Sequence, residues 1–165
     1  MSFTYIADAS LTSAGTITFS SIPSTYTDLK IIFYGKSITA STQTTMSFNG
    51  SSSAIYNYTG IYNTSGGANT IDTNRAGTYS KIGSLLSWAT AMYEIDIFQY
   101  ANSTDYKQAR NTFTEWTNST SSGRTGIVHT MWFSTAAITS ISFAGDGSSN
   151  LGIGTKVSLY GITKA

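Results

Sequence analysis

The chain has 165 residues, of which 10% are charged and 13% aromatic, with one histidine, one proline and no cysteine. A formal net charge of +1 gives no field able to draw in nucleic acid or an anionic membrane. Without thiols there is neither a disulfide nor a thiolate metal site, which fits folding in a reducing cytoplasm.

Met1–Ser10 lacks a basic segment followed by an apolar run, so no secretory signal is expected. No stretch approaches the ~20 apolar residues of a helical membrane span. The first strand pattern is TITFS, with Ile17 and Phe19 on one side. After Pro23, Leu29, Ile31 and Phe33 share a face while Ile32 and Tyr34 take the other, a run apolar on both sides that predicts a central strand. Met46 and Phe48 alternate up to Asn49-Gly50, a dipeptide suited to the positive φ angles of a tight turn.

From Ser51 to Gly77 the periodicity fades, and the segment reads as a long loop region with one strand near Ile55–Tyr58. KIGSLLSW, with Ile82, Leu85, Leu86 and Trp88, is an ambiguous apolar patch. MYEIDIFQY sets Tyr93, Ile95 and Ile97 against Met92, Glu94, Asp96, Phe98 and Tyr100. NTFTEWT and TGIVHTMWFS follow, the second with Ile127, His129, Met131 and Phe133 facing away from Val128, Thr130 and Trp132. ITSISF and TKVSLYGI are the last two patterns. Eight or nine short strands without a convincing helix predict an all-β, antiparallel β-sandwich, jelly-roll-like, formed by residues 1–165 as one domain.

The five Asn-x-Ser/Thr sites, at Asn49, Asn57, Asn63, Asn102 and Asn118, read as loop and turn chemistry. Gly147 and Gly152 have the separation of a phosphate-binding loop, but Ile153 stands where its lysine belongs and a strand pattern follows where a helix should. The loop around them is therefore expected to join two strands. Glu94 and Asp96 lie two apart on one face, the arrangement from which glycoside hydrolysis draws an acid and a base. They could equally take bonds from Arg110, Arg124 or Lys107. Asp146 with Asn150, or Asp72 with Asn74, offers a few oxygens to a calcium ion, but one carboxylate per loop is thin, and no metal is assigned.

His129 shares a face with apolar residues and is read as a packed imidazole of the core or of an interface, without the partners of a catalytic triad. No catalytic residue and no cofactor are assigned. Trp88, Trp116 and Trp132 are candidates for the core, while Tyr56, Tyr58, Tyr62 and Trp116 are the candidates for contact with a partner or a glycan.

In order along the chain, TITFSSIPSTYTDLKIIFYGKS, SFNG followed by YNYTGIY, YEIDIFQYAN, WFSTAAITSISF and GTKVSLYGI form a recognisable series. It resembles a domain recurring in virion structural proteins of tailed bacteriophages, especially cyanophages and other aquatic phages. There, a TFSSIP segment leads through an F-N-G turn to a closing LYGI. The resemblance spans roughly residues 16–162. It implies a β-sandwich without known catalytic residues, used at particle surfaces. The expectation is a capsid decoration (cement) protein of the virion, assembled in the host cytoplasm, a homotrimer binding the major capsid protein without nucleic acid or membrane. The alternative is a glycan-binding host-recognition module of a tail fibre or baseplate.

Overall fold

The computed structural model describes residues 1–36, 42–64, 67–85, 90–117, 123–146 and 150–164. Among them run twelve strands: β1 (Ser2–Ser10), β2 (Ile17–Phe19), β3 (Asp28–Lys36), β4 (Thr42–Phe48), β5 (Tyr56–Thr64), β6 (Asn69–Gly77), β7 (Ser80–Leu85), β8 (Thr90–Phe98), β9 (Lys107–Trp116), β10 (Gly123–Trp132), β11 (Ile141–Gly145) and β12 (Lys156–Thr163). An eight-stranded sheet has the order β1-β12-β3-β8-β9-β10-β5-β6, and a four-stranded sheet the order β2-β11-β4-β7. Every pairing is antiparallel.

The winding is that of a jelly roll with additions. The chain passes from the small sheet at β2 to the large at β3, back at β4, over to β5 and β6, back at β7, over to β8–β10, back at β11 and over to β12. Eight strands wound in this way make an ordinary jelly roll. Here one of the large-sheet positions is widened into the meander β8–β9–β10, and β1 and β12 extend the sheet beyond β3.

Alternation decides what lies between the sheets. Leu29, Ile31 and Phe33 of β3 and Tyr93, Ile95 and Ile97 of β8 point inward and are fully buried against Ile17, Met46, Phe48, Ile141 and Phe143 of the small sheet. Each such aliphatic or Phe side chain contributes about 1.5–3 kcal/mol of burial. Phe33 meets Tyr93 and Phe143 with ring centroids 5.0 and 5.4 Å apart, and Phe48 meets Trp132 at 5.5 Å. Trp132 is thus a core residue, as expected; Trp88 lies outside the described residues.

The strands exceed the expected eight or nine. Residues 51–77 hold a hairpin of two nine-residue strands, β5 and β6, in place of a long loop. The ambiguous patch supplies β7, an edge strand of the small sheet, and β1 was not anticipated. Tyr100 is fully buried: Gln99 before it has a φ of 47°, which ends the alternation and turns the ring inward. His129 falls on the outer face of β10 and is exposed, because Val128, Thr130 and Trp132 take the inner face.

The glycine-rich segment before β12 is stitched to its surroundings by backbone. Leu151 exchanges two bonds with Gly15, the Gly152 N–H donates to the Lys36 carbonyl at 2.7 Å, and the Gly154 N–H donates to that of Leu11 at 2.8 Å. Gly154 has a φ of +84°, a conformation that favours glycine. The N–H groups of Leu151, Gly152, Gly154 and Thr155 serve neighbouring carbonyls, and β12 follows where a phosphate loop would need a helix.

Candidate functional site

The eight-stranded sheet has one face on the core and the other toward solvent, and the register fixes which side chains stand side by side on the outer one. Ile32, Glu94, Thr112, Ile127, Ile61 and Ile71 form a row across β3, β8, β9, β10, β5 and β6. The next row carries Tyr34, Met92, Thr114 and Thr125, and the one beyond it Trp116 opposite Gly123. Sequence alternation would place polar residues here. Instead Ile71 is 69% exposed, Met92 58%, Trp116 53%, Ile61 52% and Ile32 39%, on adjacent strands rather than scattered. Ile32, Ile61, Met92, Ile127 and the intervening threonines line a shallow concavity of about 710 Å³.

On the other side of the isoleucine row lies a charged one, Lys30, Asp96 and Arg110, which continues to His129 on β10. Lys30 bridges the two carboxylates proposed for chemistry, pairing with Glu94 and, at 2.8 Å, with Asp96; Arg110 holds the second Asp96 oxygen at 2.7 Å. Partial burial acts to raise the Asp96 pKa, but the bonds from Lys30 and Arg110 together outweigh it and hold the carboxyl below its ordinary value. A carboxylate so held is a poor proton donor near neutrality. Partial burial likewise opposes the charge on Lys30, and its two carboxylate partners prevail and raise its pKa. Arg110 was among the expected cations. Arg124 lies on the opposite face, and Lys107 is buried, donating to the carbonyls of Asp105 and Thr135 at 2.6 and 3.1 Å. Burial pushes the Lys107 pKa down.

The four aromatic candidates separate. Tyr56 is fully buried, stacked on Trp132 with centroids 6.3 Å apart, its hydroxyl accepting from the Phe48 N–H at 2.7 Å. It is a core residue and is withdrawn as a contact residue. Tyr58 also faces inward and is buried, while Tyr62 is half-buried beside Phe113. Tyr58 and Tyr62 do share a space: with Gln43, Asp72, Lys81 and Arg124 they line a cavity of about 50 Å³ between the sheets. The Lys81 ammonium sits 5.8 Å from the Tyr58 centroid and 3.1 Å from Asp72, and the Arg124 guanidinium 5.6 Å from the Tyr62 centroid. That volume suits a few waters rather than a sugar ring. Trp116 alone of the four stands open, at the end of β9 on the outer face.

Asp146 accepts a 2.5 Å bond from the Tyr79 hydroxyl, and its own N–H donates to the Gln43 carbonyl. That bond, with some burial, pushes the Tyr79 pKa up to about 12. Asn150 is exposed, and 147–149 between the two lie outside the described residues. Asp72 pairs with Lys81, and Asn74 lies beyond it on β6. Among the described residues no three His, Asp or Glu side chains come together as a metal would require.

Sequence reasoning missed the isoleucines of the outer face. The available signal was Ile32, apolar on the side opposite Leu29, Ile31 and Phe33; Ile61 and Ile71 were hidden in a segment read as loop. No protein-family model, no curated protein and no solved structure matches the chain.

Proposed function

We propose that this chain is a structural protein of a bacteriophage virion, a capsid decoration (cement) protein that assembles as an oligomer and clamps neighbouring major capsid subunits on the outside of the shell. One observation carries the reading: a broad sheet face on which Ile127, Ile61 and Ile71 stand side by side, with Ile32, Met92 and Trp116 exposed on the same face across Glu94 and a band of threonines. Exposed apolar side chains concentrated in this way mark a contact surface, and a few buried anchors dominate its energy. The resemblance of the TFSSIP, F-N-G and LYGI segments to tailed-phage virion proteins supplies the setting. These segments contribute β2, the turn after β4, and β12, the framework behind that face. Capsids assembled without the protein should form normally and lose resistance to heat or low salt. Detection of the protein in tails alone would overturn the reading.

Trp116 supports a second reading, a glycan-binding module of a tail fibre or baseplate, because its exposed indole offers a sugar a stacking plane. A glycan array on the wild-type chain and on Trp116→Ala decides it. The reading expects binding that the substitution abolishes, and an array without binding removes it. Copy number separates the two settings: hundreds per particle indicate the shell, a dozen or fewer the tail.

A further inference from the structure

Starting from the reading of the outer face as a contact surface, we infer that a second copy of this chain covers it, the two large sheets packing face to face about a two-fold axis. Shape favours this pairing. A regularly twisted sheet is a saddle, and a two-fold axis lying in the sheet along the strands carries a saddle onto itself. Two such faces meet at the near-aligned angle and ~10 Å separation of ordinary sheet packing. The protein already packs its two sheets by this logic on the inner face.

Charge permits the pairing. At the centre of the face Lys30 and Arg110 are matched by Glu94 and Asp96, and the whole chain carries only +1. Lys36 in the Trp116 row and Lys156 beside Tyr34 add cations at its margin, so a second copy meets a balanced centre and repulsion only at the edge. The face is also large enough for a pair. From Ile32 to Ile71 the strip crosses six adjacent strands, about 24 Å at normal strand spacing, and from the Asp96 row to Trp116 it runs about 20 Å. Counted flat, that is about 500 Å² per copy, so a pair reaches the ~1,000 Å² below which specific interfaces become rare.

Sedimentation equilibrium of the purified chain should show twice the chain mass. The double variant Ile61→Asp/Ile71→Asp should sediment as a monomer with the circular dichroism spectrum and unfolding midpoint of the wild type, since both side chains are exposed. Because aspartate is a poor strand former, Ile61→Thr/Ile71→Thr serves as the gentler companion and should weaken the dimer at least tenfold. A wild-type monomer at every concentration, a three-chain mass, or a dimer that survives both double variants would each overturn the pairing. A monomer that binds particles through this face would sink the pairing and spare the assembly role. A dimer sensitive to these substitutions that binds no particle would do the reverse.

Discussion

Asn49 shows how one side chain can replace a length of regular structure. With a φ of 53° it begins the turn after β4, and its amide reaches the loop before β11. Its Nδ2 donates to the Ala137 carbonyl at 2.8 Å, while Oδ1 accepts from the N–H groups of Thr139 and Ser140 at 2.8 and 3.1 Å. The Asn-Gly signal for a tight turn was legible in the sequence; the reach across about ninety residues was not, because nothing local encodes it. Asn49→Ala should lower the unfolding free energy by about 2–4 kcal/mol in urea titration, combining lost bonds with a backbone angle alanine dislikes. Asn49→Gly, free of the angle cost, should recover only part of that. Tyr79 ties stability to alkaline pH. Its bond to Asp146 stabilises the neutral phenol in the folded state, so its contribution is complete below pH 10, the ordinary tyrosine value, and is lost as pH rises through about 12. Absorbance titration at alkaline pH should lose one late-ionising tyrosine in Tyr79→Phe, and the variant's stability should depend less on pH across that window.

The strands that the sequence disclosed are those whose inward positions stand out by alternation. β3 and β8, inside the large sheet, keep inward faces of aliphatic and aromatic side chains. β9 and β10, also inside it, show the pattern only in part, since β9 buries Lys107, Asn111 and Glu115 beside Ala109 and Phe113 and β10 buries Thr130. β1, β6 and β7 are edge strands, or β1's case the outermost strand beyond β12, and their faces are too exposed or too short to show the pattern. β5 is different: Tyr56, Tyr58 and Tyr62 do alternate inward around Gly60, but tyrosine counts for neither side in a reading by polarity. The same ambivalence made Tyr56 look like a contact residue. The candidate face was only partly legible, since it depends on which strands become neighbours, and Ile32 and Ile71 are 39 residues apart by number yet share one row. Close packing between elements is equally invisible in one dimension. A Cβ at Gly161 in β12 would fall on the Tyr26 ring, well inside contact distance. Gly161→Ala should therefore lower the thermal midpoint, at a cost of about 1–3 kcal/mol, and combination with Tyr26→Ser should cost less than the two changes summed.

At the scale of the molecule, composition suited β-structure, and the count of short alternating strands without a convincing helix indicated two antiparallel sheets packed over a single core. The surface that results is almost neutral and joined by hydroxyls and amides. Association through the outer face should hold or tighten when sodium chloride rises about tenfold, and tighten further in sulfate, read by the same sedimentation measurement; an electrostatic contact would weaken. One pairing in the large sheet reaches beyond the folded state. β1 has β12 for its partner, so Ser2 lies against Thr163 and the sheet's first strand is flanked by its last. Closing that pairing brings together residues about 160 positions apart, so it must overcome the loop entropy of nearly the whole domain, and pairings of this range are the kind that slow folding.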